Sequence, residues 1–163
     1  MSDAPNPPFK IPMIQIGIED PRQAEVEALI TALDDYSNAL YPPDSNHLLD
    51  IASLAKPDVV FFVARQDGKA IGCGAFRLLD KRHGEIKRMY VPHEARGRGL
   101  GRAVLATIET EAKRRGVRRL SLETGIHNHE ALNLYRRAGY EDCPAFGPYK
   151  SDPLSLFMTK ELD

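Results

Sequence analysis

Residues 85–123 most constrain the fold. They read as a strand, a turn rich in glycine and arginine, a helix and a second strand. The strand segments are Glu85–Val91 and Val117–Glu123, and Leu100–Arg115 between them forms the helix, closed by Gly116 at its C-terminus. Two strands joined by a helix run parallel, with a right-handed crossover. The flanking sequence supplies further elements of both kinds. Ile14, Ile16 and Ile18 alternate as in a strand. Asp20 and Pro21 read as a helix start, and Val26, Leu29, Ile30, Leu33, Tyr36 and Leu40 recur at spacings of three and four. That stripe predicts a helix from Pro21 to Leu40, stopped by Pro42 and Pro43, with a second helix over Asn46–Leu54. Val59–Arg65 and Ala70–Leu79 flank an Asp67-Gly68 turn as a hairpin. His129–Ala138 reads as a short helix ended by Gly139, and Tyr140–Cys143 and Leu154–Lys160 as final strands. The order β α α β β β α β α β β implies an α/β fold with a mixed sheet.

At 163 residues the chain suits one domain, expected over 12–163. Four prolines among the first twelve residues mark 1–11 as a flexible N-terminal arm. Hydrophobic residues make up 42% and charged residues 28%, which is ordinary for a globular protein. A net charge of −1 argues against a strongly basic nucleic-acid binder. The longest purely apolar run, Val59–Ala64, is far short of the ~20 residues of a spanning helix. Cys73 and Cys143 make no disulfide framework, so a reduced, cytoplasmic setting is expected. His127 and His129 have no third ligand near in sequence, so no metal is expected.

Charge is uneven along the chain. Residues 1–60 hold three Lys/Arg against ten Asp/Glu, whereas 96–119 hold eight Lys/Arg against two Glu. The basic run surrounds Gly97, Gly99 and Gly101, with Arg96, Arg98 and Arg102 interleaved. Glycines there let a ligand approach the backbone, and the unpartnered N–H groups of the helix start form an anion site suited to phosphate. A Walker A loop is rejected because Arg102 and Ala103 follow Gly101. A dinucleotide fingerprint fails at its third glycine, which is Arg102, although Glu123 lies about 20 residues further on. A nucleic-acid-binding module is the competing use of this run, but no aromatic residue lies between 96 and 119 to stack on bases.

Arg96-x-x-Gly99-x-Gly101 resembles the R/Q-x-x-G-x-G/A motif of the GCN5-related N-acetyltransferases. Upstream, residues 85–92 resemble that family's central strand. Downstream, Asn128, Ala131, Tyr135, Gly139 and Tyr140 resemble its second signature. The resemblance covers roughly residues 59–160. It implies a mixed, mostly antiparallel sheet of six or seven strands flanked by about four helices, with a splayed parallel pair at the centre. It also implies acetyl transfer from acetyl-CoA to a primary amine by direct attack in a ternary complex. The pyrophosphate would lie on Arg96, Gly97, Arg98, Gly99, Leu100, Gly101 and Arg102. The pantetheine arm would lie along Met89, Tyr90 and Val91, with a further hydrogen bond from Asn128, which is also placed to cap the following helix. The Met89 N–H would face the thioester oxygen, and Tyr135 would be the general acid for the leaving thiolate.

A lysine-like amine, with a pKa near ~10.4, must lose a proton before it attacks. Glu85 is the candidate base, directly or through water; the plain alternative is a surface carboxylate paired with Lys87 or Arg88. Strand alternation places Glu85, Lys87, Met89 and Val91 on one face. Tyr36, Tyr41, Ser45 and His47 are candidate acceptor contacts, and the loop 146–153 is a candidate pocket wall. Arg77 is a candidate for an acceptor carboxylate, or for a pair on the sheet surface. The expected acceptor is a small-molecule amine; protein lysines, N-termini and a non-catalytic acyl-CoA sensor are the alternatives. No nucleic-acid or membrane partner is expected, and the family's habit of oligomerising makes a homodimer an expectation.

Overall fold

The computed structural model describes residues 13–45 and 49–163. The arm expected over 1–11, the helix start expected at Asn46, and His47 lie outside the described residues. The elements run β1 Ile14–Ile18, α1 Ala24–Leu40, α2 Ile51–Leu54, β2 Val59–Gln66, β3 Lys69–Leu78, β4 His83–Tyr90, α3 Leu100–Arg114, β5 Arg119–Gly125, α4 His129–Arg137, β6 Glu141–Cys143 and β7 Ser155–Glu161. One sheet of seven strands holds them in the order β1-β2-β3-β4-β5-β7-β6. Only β4 and β5 pair in parallel; the other neighbours are antiparallel. No helix among the described residues is long and apolar enough to cross a membrane.

The sheet has a core on each face. Val26, Leu29 and Ile30 of α1 pack with Phe61, Val63, Cys73 and Ala75 on one side. Val104, Leu105, Ile108 and Ala112 of α3 pack with Phe62, Phe76, Leu120 and Met158 on the other. Each large apolar side chain so buried contributes about 1.5–3 kcal/mol. Glycine ends both long helices of this second face. At α3, Gly116 takes φ +87°, its N–H bonds Lys113 O, and the Val117 N–H reaches Ala112 O at 2.9 Å. At α4, Gly139 takes φ +96° and the Tyr140 N–H reaches Tyr135 O at 3.0 Å.

Two helix starts differ from expectation. α1 begins at Ala24, not Pro21, and its N-cap Gln23 makes no side-chain cap. The Asp20 carboxylate instead binds the Arg22 N–H at 2.8 Å and the Arg22 guanidinium, closing a turn ahead of the helix. α2 is capped by Asp50, whose carboxylate accepts from the Ser53 N–H at 2.8 Å.

The parallel pair makes the site. β4 and β5 are paired at His83–Arg119, Gly84–Leu120 and Glu85–Ser121, and pairing then stops. β4 stays with β3 and β5 stays with β7, so the two strands diverge into a cleft. Within that cleft β4 also loses register with β3 between Cys73 and Ala75, where Arg88 takes φ +56°. This bulge overturns the simple alternation. Lys87 reaches Tyr149, and Arg88 reaches Asp34 of α1 and the Leu49 carbonyl. Met89 and Val91 pack instead with the α3-side core. The Met89 sulfur fills the space that a side chain at Gly74 would need.

Candidate active site

A groove of about 580 Å3 runs from the end of β4 past the start of α3 to α4. Its floor is the Gly97–Gly101 loop. Gly97 and Gly99 take φ +79° and +73°, in the left-handed region, and a Cβ on either would meet nothing within 4 Å. The loop is therefore open rather than packed. The N–H groups of residues 97–102 have no acceptor among the described residues. They face outward at the positive end of a fifteen-residue helix. The arginines divide their work. Arg96 Nε donates to Val91 O at 2.9 Å, and its guanidinium pairs with Glu130 and lies over the Tyr36 ring. It ties the loop to the end of β4. Arg98 donates to Gln66 Oε1, while Arg102 is exposed and has no partner among the described residues.

A second chamber, of about 130 Å3, lies deeper in the split between β4 and β5. Groove and chamber share Leu33, Ser37, Met89, Asn128, Ala131 and Tyr135. They meet where the strands part. Tyr135 stands at this junction on α4, 6% exposed, with its ring edge-on to Tyr140 at 5.8 Å. Its hydroxyl has no hydrogen-bond partner among the described residues. Burial pushes the phenol well above its ordinary range, so it stays protonated at neutral pH.

Opposite α1, Lys87 lines the chamber and a charged cluster lies behind it. Glu85 is 0% exposed, and its carboxylate binds Arg77 Nη2 at 2.9 Å, Lys87 Nζ at 3.3 Å and the Tyr149 hydroxyl at 2.5 Å. The Lys87 ammonium also donates to the Tyr149 oxygen. Burial is the largest influence on Lys87 and lowers its pKa. Burial, and then the neighbouring Glu85 charge, raise that of Tyr149. Phe146 and Phe157 hold the Tyr149 ring at 5.4 and 5.7 Å. Across the chamber stands Glu123 of β5, half-buried, with its carboxylate accepting from Ser155 Oγ at 3.0 Å.

Tyr41 and Ser45 line the chamber. The Tyr41 hydroxyl accepts from the His127 N–H at 3.1 Å, donates to Asn128 Oδ1 and presses on Gly125, where a Cβ would coincide with it. Ser45 Oγ donates to Asp152 at 2.7 Å, linking the segment after α1 to the β6–β7 loop.

Several candidates sit differently. Tyr36, 42% exposed, lines the groove under the Arg96 guanidinium and not the chamber. Arg77 lines neither cavity; its cross-strand partner Glu85 takes the guanidinium. Glu85 likewise lines neither cavity, because Arg77, Lys87 and Tyr149 enclose its carboxylate. Asn128 holds the N-cap position of α4 but makes no cap bond, since its side chain is engaged by Tyr41 and Thr124. Glu123 borders the chamber; its signal is the alternation of Ser121 and Glu123 with the core residues Leu120 and Leu122. Tyr149 belongs to the loop 146–153 and, through its hydroxyl, to the Glu85 cluster. Among the described residues no group of three or more His, Cys, Asp or Glu is placed to hold a metal.

Residues 26–140 match the family model described as the acetyltransferase (GNAT) family. A relative from Azospirillum brasilense named IAA acetyltransferase is 48% identical over 153 residues, covering 93% of this chain and 100% of the relative. A crystal structure from Klebsiella pneumoniae, described as an acyl-CoA N-acyltransferase, is 40% identical with a TM-score of 0.79, covering 93% of this chain and 99% of that one. A GNAT acetyltransferase from Elizabethkingia anophelis, crystallised with acetyl-CoA, shares the fold at 18% identity and a TM-score of 0.64, covering 91% of this chain and 98% of that one. The chain belongs to the GNAT acetyltransferase family and is an acyl-CoA-dependent N-acetyltransferase.

Proposed function

We propose that the chain moves an acetyl group from acetyl-CoA to a primary amine of a small molecule, with both substrates bound at once. One observation carries the reading: groove and chamber open into each other at Met89, Asn128 and Tyr135. A donor in the groove and an acceptor in the chamber would meet there without an acyl-enzyme. Cys73 is unsuited to such an intermediate. It is fully buried, bonded to the Arg88 carbonyl at 3.4 Å, and its thiol is pushed up to about 12 by burial. The relative named IAA acetyltransferase supports a small-molecule acceptor.

The loop fits acetyl-CoA. The acceptor-free N–H groups of 97–102, the open space over Gly97 and Gly99, and Arg102 suit a diphosphate. Bound there, acetyl-CoA supplies an activated thioester. The chain's residues do the rest. The bulge at Arg88 takes Met89 out of the β3 ladder, so its N–H is available to the thioester oxygen. Such a donor, aimed where negative charge develops, is worth about 2.7–4 kcal/mol. Glu123, rather than the enclosed Glu85, accepts the proton from the acceptor's ammonium. The new C–N bond forms as the C–S bond breaks, the Tyr135 hydroxyl gives its proton to the leaving sulfur, and the second proton shed by the nitrogen as it becomes an amide restores the Tyr135 phenol. Arg77, Glu85, Lys87 and Tyr149 hold the β4 wall in place. Thiol release with acetyl-CoA and a panel of small amines tests the reading: turnover with at least one supports it, and release with none overturns it.

A further inference from the structure

The charges of the chamber are specific enough to narrow the acceptor. Resting on the acetyl-transfer reading above, we infer that the acceptor is an amine that also carries a carboxylate, of the amino-acid class, with its carboxylate met by Lys87 and its amine by Glu123.

Lys87 and Arg88 of β4 and Glu123 of β5 line the chamber, and the Arg88 guanidinium is paired with Asp34 of α1. Behind Lys87 stand Arg77 of β3 and Glu85 of β4, and with the Arg88–Asp34 pair beside them this side of the chamber gathers three cations and two carboxylates. Tyr149 adds no negative charge, because burial and the adjacent Glu85 keep its phenol protonated. The wall therefore presents a surplus of positive charge where little water reaches, the Lys87 side chain being 9% exposed. An incoming carboxylate complements it. A diamine would set its second ammonium against the same wall, a like-charge contact at low dielectric. A plain amine would leave the Lys87 side of the chamber without an ionic partner from the ligand. Glu123 supplies the opposite pole for the ammonium that must be deprotonated. The remaining wall is mixed, with Leu33, Ile86 and Leu122 beside Ser37, Thr124 and Asn128. At about 130 Å3 the chamber is far below the ~300–1,000 Å3 of drug-sized sites. A small amino acid satisfies charge and size together.

The test uses matched pairs that differ only in the carboxylate: leucine against 3-methylbutylamine, phenylalanine against 2-phenylethylamine, and lysine against cadaverine. The native protein should favour the carboxylate-bearing member by at least ~30-fold in kcat/KM, the value of one charged hydrogen bond. Lys87→Met should bring the ratio to within about threefold while the acetyl-CoA Kd holds, and Lys87→Arg should keep the preference. If Lys87→Met does not fold, the ratio in the native protein decides. Equal or greater turnover of the decarboxylated amines overturns the inference and leaves acetyl transfer standing. No thiol release from any amine overturns acetyl transfer and the inference with it.

Discussion

Glu85→Gln removes one negative charge from between Arg77 and Lys87 and leaves the shape of the side chain unchanged. Both cations then lose their counter-charge, and the amide N–H2 is turned toward donors from Lys87 and Tyr149. Breaking a buried ion pair from one side costs about 3–5 kcal/mol. The Arg77 side chain keeps 23% exposure, so the lower end applies. For a chain of this length, each kcal/mol moves Tm by about 2–4 °C, so about 3 kcal/mol predicts a fall of roughly 6–12 °C. Thermal unfolding followed by circular dichroism measures it. Thiol release at 25 °C, on the protein that remains folded, should retain its native pH profile, because the proposed base is Glu123. The reasoning is refuted if Tm stays within about 2 °C while kcat/KM falls by ~100-fold or more at neutral pH, with the loss shrinking as pH rises and the amine deprotonates unaided. That pattern would make Glu85 the base. Glu123→Gln is expected to show it instead.

Tyr135→Phe should lower kcat by ~100-fold or more at an unchanged acetyl-CoA Kd, read by single-turnover kinetics and calorimetry; equal turnover would remove Tyr135 from the chemistry. Gly99→Val should weaken acetyl-CoA binding by ~30-fold or more in calorimetry. Its strain at φ +73° should cost only about 1–2 kcal/mol, because the space beside it is open; retained affinity would take the diphosphate away from this loop. Cys73 gives a pH dependence. Its folded thiol titrates near about 12 against an ordinary value near 9, so between these the folded state holds a proton that the unfolded state has lost. Stability therefore falls as pH rises through that window. Cys73→Ala should flatten the fall by about 1.4 kcal/mol per pH unit in urea unfolding, and an unchanged slope would contradict the burial assigned to this thiol.

The order of strands and helices was legible because each element carries a local signal. Gly116 and Gly139 mark helix ends, the isoleucines of β1 alternate, and the glycines before α3 announce a loop that must stay open. The site was legible where it is local. Residues 97–102, Met89 and Tyr135 sit on short motifs. What escaped is long-range. The pairing of Glu85 with Lys87 is local and was legible; its other partners come from β3, eight residues earlier, and from a loop sixty-four residues later. Tyr149 has no pattern of its own and acquires a place only when Phe146 and Phe157 clamp its ring. The alternation over β4 failed at Arg88, because a bulge set by pairing with β3 resets which side chains face the cleft. Tyr36 and Tyr41 are five residues apart on or beside one helix, yet they border different cavities, a division that only the packing of α1 across the split strands decides.

The central claim is that main-chain amides at the start of α3 hold the diphosphate while Met89 and Tyr135 stand over the thioester. Backbone amide NMR during titration with acetyl-CoA tests it most directly. The account predicts that the largest shifts fall on residues 97–102 and on Met89, and that a subsequent amine ligand perturbs Tyr41, Lys87 and Glu123 without releasing them. Saturating acetyl-CoA that leaves the amides of 97–102 unmoved would contradict it.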